Sequence, residues 1–498
     1  MSTGGIFTLI TNDGKQDRLL MASEFLKQRL AKIQAERKSQ GLEPTPTLVD
    51  IEKTHLLFMN SHFKPFAAIG FEYNKVGVAS GAPQLGSTVQ FSIPQFGDFF
   101  QDMALHLILS DPVPTSGTTP TYRWCQYPGE RIMSRVKFTV NGNPLDEYFA
   151  DDYVLYRKTQ LPEQKRAGYN RCMGQENPIV AEYYQASVSP TNSRLMGMYA
   201  NGFQTPKTVH GQLELMIPLL FWFNTDIRFA IPSVSIPYGQ RFIEVEFADQ
   251  ASLVGQEARG TAIDGTLGTV SILKCMLYIN NIFVNPEIHD IYIKRIGFNL
   301  IRVHRRHLMK LDVASEEVLL SNLKWPIEMM HLTFRPIENT AVTSTDFDGN
   351  GTGAYHLDHW HTFSRVVRSD VTGNQLTAYV DIQSPTVNHL TLLSHGVRLF
   401  DEYPASFFTS YLPLVRGKNN RTPDDIGIHT IYFNAVPCNH QPSGYINVSR
   451  AREFYLKYDS NQCATPISTS KIVNLTVNAC ALNFLLIADG SAVLRYST

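Results

Sequence analysis

VNGNPLDEY, residues 140–148, sets a tight turn in front of a pair of acids. Asn141-Gly142 is a strong two-residue hairpin signal, because both residues tolerate φ > 0. Asp146 and Glu147 follow at once. Read alone, the pair either presents carboxylates for chemistry or belongs to a strand end. A second copy favours the strand end. SHGVRLFDEY, residues 394–403, repeats the Gly, Leu and Asp-Glu-Tyr elements with one residue added. A reaction centre need not occur twice, so Asp146, Glu147, Asp401 and Glu402 are expected to be structural.

Other echoes keep the same order. FWFN (221–224) precedes RFIEVEF (241–247), and IYFN (431–434) precedes REFYLKY (452–458). The two intervals, Asn224 to Arg241 and Asn434 to Arg452, are 17 and 18 residues. Both second members alternate apolar and polar residues, as a strand with one buried face does. The Asp-Glu-Tyr copies lie 255 residues apart and the Phe-Asn copies 210, so the first copy holds 45 more residues between these landmarks. That excess falls in 149–220 and predicts a large loop insertion, a usual place for a functional surface.

The chain has 498 residues, too many for one ordinary core, and its hydrophobic share of 43% is enough to fill two. Strand candidates dominate: VQFSI, ALHLILS, RVKFTV, QLELMI, KCMLYI, IGFNLIRVH, QLTAYVDI and HTIYFN. Helical periodicity is clear only at 19–37, where Leu19, Ala22, Leu26, Leu30 and Ile33 form one stripe. A second, short helix is expected at 315–322. The fold class is therefore all-β: two consecutive eight-stranded sandwiches, a double jelly roll, with a short N-terminal arm. The expected division is 1–50 for the arm with its amphipathic helix, 51–258 for the first jelly roll with its insertion near 149–220, and 259–498 for a linker (ARGTAIDGTLG, 258–268) and the second jelly roll.

Net charge is −1, without the basic excess of a protein that coats nucleic acid. The first residues lack a signal peptide's basic start and long apolar run. The six cysteines, at 125, 172, 275, 438, 463 and 480, form no CxxC pair and suit a reducing compartment.

The densest polar cluster is DFDGNGTGAYHLDHWH, 346–361. Asp346, Asp348, Asn350 and Gly351 match the start of a calcium loop, but Leu357 stands where a bidentate Glu is required. Gly353, His359 and His361 match half of a cupin metal motif, but Arg365 and Val366 stand where its Glu belongs, and a cation there opposes a metal. The expectation is a solvated loop ending in histidines. HRRH (304–307) is a lone basic knot, weak as a nucleic-acid signal. No hydrolase, metalloprotease or nucleotide motif has a supporting context. The reading is no enzyme, with no catalytic, cofactor-binding or metal residue and no cofactor. The alternative is a two-domain jelly-roll enzyme or lectin-like sugar binder.

Long strings then resemble a known family: ITNDGK (10–15), NSHFKPF (60–66), GFEYNKV (70–76), GDFFQDM (97–103), YPGER (127–131), VNGNPLDEY, FWFN, AIPSVSIPYGQRFI (230–243), YINNIFVNPEIH (278–289), LIRVH (300–304), LKWPIE (323–328), PSGYINVSRAREFY (442–455) and GSAVLRYST (490–498). The chain resembles the major capsid proteins of nucleocytoplasmic large DNA viruses, most of all the asfarvirus branch, almost end to end. The resemblance implies a double jelly roll in a homotrimer that looks six-sided and tiles an icosahedral outer shell beside neighbouring capsomers. It implies minor capsid and penton proteins as partners, a viral folding chaperone, contact with an internal viral membrane and no direct genome binding. It places the protein in the virion and at assembly sites in the host cytoplasm. Members of this branch carry long outer insertions, and this chain is shorter there, particularly in 149–220.

Overall fold

The computed structural model describes residues 28–41 and 69–495, apart from Leu30 and the stretches 118–120, 177–182, 190–191, 199–203, 205–206, 237–239, 257–265, 285–296, 343–354, 374–375, 449–452, 461–462, 464–471 and 489–490. Among the described residues eight main strands, extended by short pieces such as Ile231–Pro232, make the first sandwich: β1 (Ile69–Gly77), β2 (Thr88–Ser92), β3 (Phe99–Leu109), β4 (Met133–Val140), β5 (Asn143–Phe149), β6 (Leu213–Pro218), β7 (Arg241–Phe247) and β8 (Ile272–Val284). Eight more make the second: β9 (Gly297–Leu311), β10 (Ser315–Leu319), β11 (Pro326–Pro336), β12 (Val387–Ser394), β13 (Val397–Pro404), β14 (Ile428–Tyr432), β15 (Phe454–Ser460) and β16 (Val473–Ala488).

Sheet order establishes the duplication. In the first sandwich β1-β8-β3-β6 faces β2-β7-β4-β5; in the second β9-β16-β11-β14 faces β10-β15-β12-β13. Each strand of the first thus has its counterpart eight strands later, and every pairing is antiparallel. This is the double jelly roll. The alternation seen in sequence is the alternation of burial. Ile243, Val245 and Phe247 on β7 are buried, as are Phe454, Leu456 and Tyr458 on β15, and the residues between them are more open.

The opening echo is the same hairpin twice. Asn141 and Gly142 have φ of 52° and 78°, and His395 and Gly396 have 52° and 74°. Positive φ at both central residues is the type I′ hairpin signature, whose twist suits the flanking strands. The added residue in the second copy has a place too. Tyr403 pairs with Leu390 and Phe400 with Leu392, so Asp401 and Glu402 bulge out, with Glu402 at φ 52° and its N–H held by Thr391 Oγ1 at 2.9 Å.

Two expectations are corrected. The sandwiches do not divide at 258/259. Strand β8 pairs with β1 and β3, so the first sandwich runs to Val284 and the passage to the second lies between Val284 and Gly297. Segment 258–268 joins two elements of the first sandwich instead. Residues 315–319 form β10 rather than a helix; pairing with β15 and burial of Val318 outweigh local helix propensity. Of the N-terminal stripe only Ile33 is described; it is exposed on a helical stretch within 28–39, and Leu19, Ala22, Leu26 and Leu30 lie outside the described residues.

Candidate functional site

Of the two acids of the opening stretch, Asp146 lies at the joint between the two sandwiches, while Glu147 faces Arg135 of its own sheet at 3.8 Å. Strand β5 is the edge of its sheet and β9 the edge of another, and the two lie side by side. Asp146, buried on β5, accepts the backbone N–H of His304 at 2.8 Å and its Nδ1–H at 3.0 Å. One carboxylate thus caps an open edge N–H of β9 and holds the imidazole beside it. Burial draws the His304 pKa down, but the charge and hydrogen bond of Asp146, with Asp152 behind it, outweigh this and raise it to about 9. His304 is therefore cationic at neutral pH. Its ring also lies against Tyr148, at 5.4 Å between centroids.

The chain then turns into helix α1 (Ala150–Thr159), whose first turn supplies two more acids. Asp152 accepts the Phe149 N–H at 2.9 Å, the N3 half of a capping box, and takes Asn478 Nδ2 of the second sandwich at 2.6 Å. Asp151 accepts from Arg306 at 2.8 Å and Arg335 at 2.7 Å, both in the second sandwich. Burial would raise the Asp151 carboxyl, but the two guanidinium groups hold it below its ordinary value. At the other end of α1, Lys158 donates to Asp425 Oδ2 and to His361 O, each at 2.8 Å. Asp425 also takes the N–H groups of Phe363 and Gly427.

The histidine-rich segment enters the same joint from the second sandwich. Arg123 grips Asp358 with two hydrogen bonds of 2.7 Å, and Gln126 N–H donates to Leu357 O at 3.0 Å. Leu357 is buried within the first sandwich's apolar cluster. Trp360 lies beneath Arg131 and Arg335, and Arg335 also covers Phe363. The expected solvated loop is thus corrected over 356–363, where His356, Leu357 and Phe363 are buried in a wedge. Asp346, Asp348, Asn350, Gly351 and Gly353 lie outside the described residues. His361 stands among Arg157, Lys158 and Arg335, and burial and these charges push it well below its ordinary pKa. That setting repels a cation.

Apolar contact completes the joint. The first sandwich's core cluster continues into Ile301, Val303, Trp325, Ala481, Leu485 and Ile487 of the second. Such an arrangement fixes the relative orientation of two rigid bodies. The acidic second echo does not share it: Asp401 pairs with its neighbour Arg398 at 2.8 Å, both exposed, and Glu402 is exposed. HRRH, read from sequence as a basic knot, supplies His304 and Arg306 to the joint, while Arg305 stacks on Trp325. Sequence reasoning missed Asp151, Asp152, Lys158 and Asp425; the run DEYFADDY (146–153) was the available signal.

Comparison with known proteins gives one answer at every level. Residues 65–285 match the model described as major capsid protein N-terminus, and 284–493 that of the large eukaryotic DNA virus major capsid protein. These models meet where the sandwiches divide. The major capsid protein of African swine fever virus is 34% identical, with 100% of both chains covered. That alignment has 659 positions against 498 residues here, leaving 161 positions to the relative alone. The major capsid protein of Phaeocystis pouchetii virus is 21% identical over 84% of this chain and 91% of its own. Among solved structures, the Faustovirus major capsid protein superposes with a TM-score of 0.72 at 34% identity, covering 96% of this chain and 100% of its own. PBCV-1 VP54 reaches 0.63 at 18% identity, over 89% and 100%, a likeness of fold.

Proposed function

The chain belongs to the family of large eukaryotic DNA virus major capsid proteins, and from that premise we propose that it forms homotrimeric, pseudo-hexameric capsomers that tile an icosahedral outer shell. The observation that carries this reading is the pairing of two sandwiches of identical strand order, locked by buried ionic contacts. A subunit built so presents two equivalent sides, and three subunits present six. Closed cyclic symmetry is the ordinary route to such a block. The role is structural rather than catalytic. A net charge near zero suits side-by-side packing of many copies with little mutual repulsion.

The same reading assigns neighbouring capsomers, minor capsid and penton proteins as partners, and a folding chaperone for a chain rich in long-range strand pairing. The N-terminal 1–50 serves as an arm on the inner face, where Arg29, Lys32, Arg37 and Lys38 suit minor capsid proteins or anionic headgroups of an internal membrane. Multi-angle light scattering on purified protein tests the central claim. A trimer mass with six-lobed particles in negative stain is expected. A monomer at micromolar concentration overturns it. Deleting residues 1–40 is expected to leave the trimer intact and impair shell assembly.

A further inference from the structure

The stretches that follow FWFN (221–224) and IYFN (431–434), one in each sandwich, meet at the joint. Phe229 of the first lies against His440 of the second, with 5.3 Å between ring centroids. Beside them is a cleft of about 520 Å³. The first residues of β9 and Leu485 of β16 line it too, so both sandwiches contribute walls.

The cleft has two zones. Trp222, Ile231, Ile301 and Leu485 form its inner wall, all of them buried and in one apolar cluster. Ile227 and Phe298 stand at the mouth, 44% and 47% exposed. Basic groups gather on that outer side. Asp226 accepts the backbone N–H of Arg228 and its Nε–H, each at 2.9 Å, which turns the chain and fixes the guanidinium. Asp226 also takes Nη2, and Nη1 has no partner among the described residues. Arg495 covers Phe298, 5.6 Å from its ring centroid. His440 is a further donor in the lining, and the described lining residues include no carboxylate. Small-molecule sites have this form: concave, mostly apolar, roughly 300–1,000 Å³, with a few polar groups and often between two domains. Here the polar groups favour an anion.

We propose that the cleft binds a free fatty acid, with its acyl chain against Trp222, Ile231, Ile301 and Leu485 and its carboxylate at Arg228 and His440. Removal of the acyl chain from water drives binding. A carboxylate beside a guanidinium makes the stronger, charge-assisted kind of hydrogen bond and sets which end faces out. A ligand seated there touches both sandwiches at once, so it stabilises their joint by mass action. The inference is independent of how many copies assemble.

The test uses the full chain and two probes with the same acyl length, ω-bromoundecanoate and ω-bromoundecyltrimethylammonium, each below its micelle concentration. Bromine quenches tryptophan on contact, and the lining includes Trp222 but not Trp124, Trp325 or Trp360. Saturable quenching by the acid is expected, with displacement by unlabelled laurate and a raised melting temperature. Trp222→Phe should abolish the quenching and keep the rise in melting temperature. Arg228→Gln, at an exposed side chain, should weaken binding about tenfold, and the cationic probe should bind the parent at least about tenfold more weakly than the acid. Ala230→Phe, which fills the cleft from its wall, should abolish both effects. If circular dichroism shows that this variant does not fold, the Trp222→Phe and Arg228→Gln results decide. The proposal is overturned by a parent without saturable quenching, by quenching that survives in Trp222→Phe, or by equal binding of the cation. Quenching by vesicles of brominated anionic phospholipid, without quenching by the dissolved acid, overturns it in favour of a membrane contact.

Discussion

Asp151 of the first sandwich lies 2.7 Å from Arg335 of the second, and both side chains are more than nine-tenths buried. Arg306 shares the same carboxylate at 2.8 Å. A buried ion pair is weak evidence of net stabilisation, because desolvation offsets much of the attraction; removing one partner is another matter.

Asp151→Ala strands two guanidinium groups in the joint. The expected cost is about 3–5 kcal/mol, the range for an uncompensated buried charge. Urea denaturation followed by tryptophan fluorescence measures it. Asp401→Ala, at a side chain 50% exposed, should change subunit stability by less than about 0.5 kcal/mol. Equal losses at the two sites would contradict the difference between the repeats.

His304 makes the joint sensitive to alkali. Its pKa is raised from 6.5 to about 9, so the stabilisation it brings is complete below about pH 6.5 and is lost as pH rises to about 9. Melting temperature should fall over that interval. His304→Gln should flatten the fall, and an unchanged profile would sink the assignment.

The second sandwich should be sensitive to acid. His331 and His429 are buried on neighbouring strands, β11 and β14, and burial lowers both from 6.5 to about 4. A depressed folded pKa means stability that is complete above about pH 6.5 and lost as pH falls toward 4. Each group contributes a slope of up to about 1.4 kcal/mol per pH unit. Denaturation midpoints at about pH 7.5 and pH 5 measure this, and His429→Phe should reduce the difference.

A chelator should leave the melting temperature where it is. Leu357 is a core residue rather than a ligand, and His361 faces Arg157, Lys158 and Arg335. A drop of several degrees restored by one added metal would show a site that this reading lacks.

Much of this protein was written locally. The Asn141-Gly142 and His395-Gly396 turns, the alternation in β7 and β15, and the recurrence of Asp-Glu-Tyr gave two all-β units, because turn chemistry and period-2 burial act over a few residues. What tertiary structure decided is where each copy of a motif ends up. Asp146 and Asp401 are the same letter at the same strand position, yet one is buried against His304 and the other lies in a bulge at the surface. Their fates differ because β5 meets the other sandwich and β13 does not. The domain boundary moved for the same reason. Strand β8 closes the first sheet by pairing with β1, 199 to 215 residues earlier, and no local pattern records a partner that distant. The wedge at 356–363 looked solvated because many of its polar groups find their partners, among them Arg123, Gln126, Arg131 and Lys158, in the other sandwich. Sequence fixes the pieces through short-range periodicity, while burial of a charge depends on which distant surface arrives to compensate it.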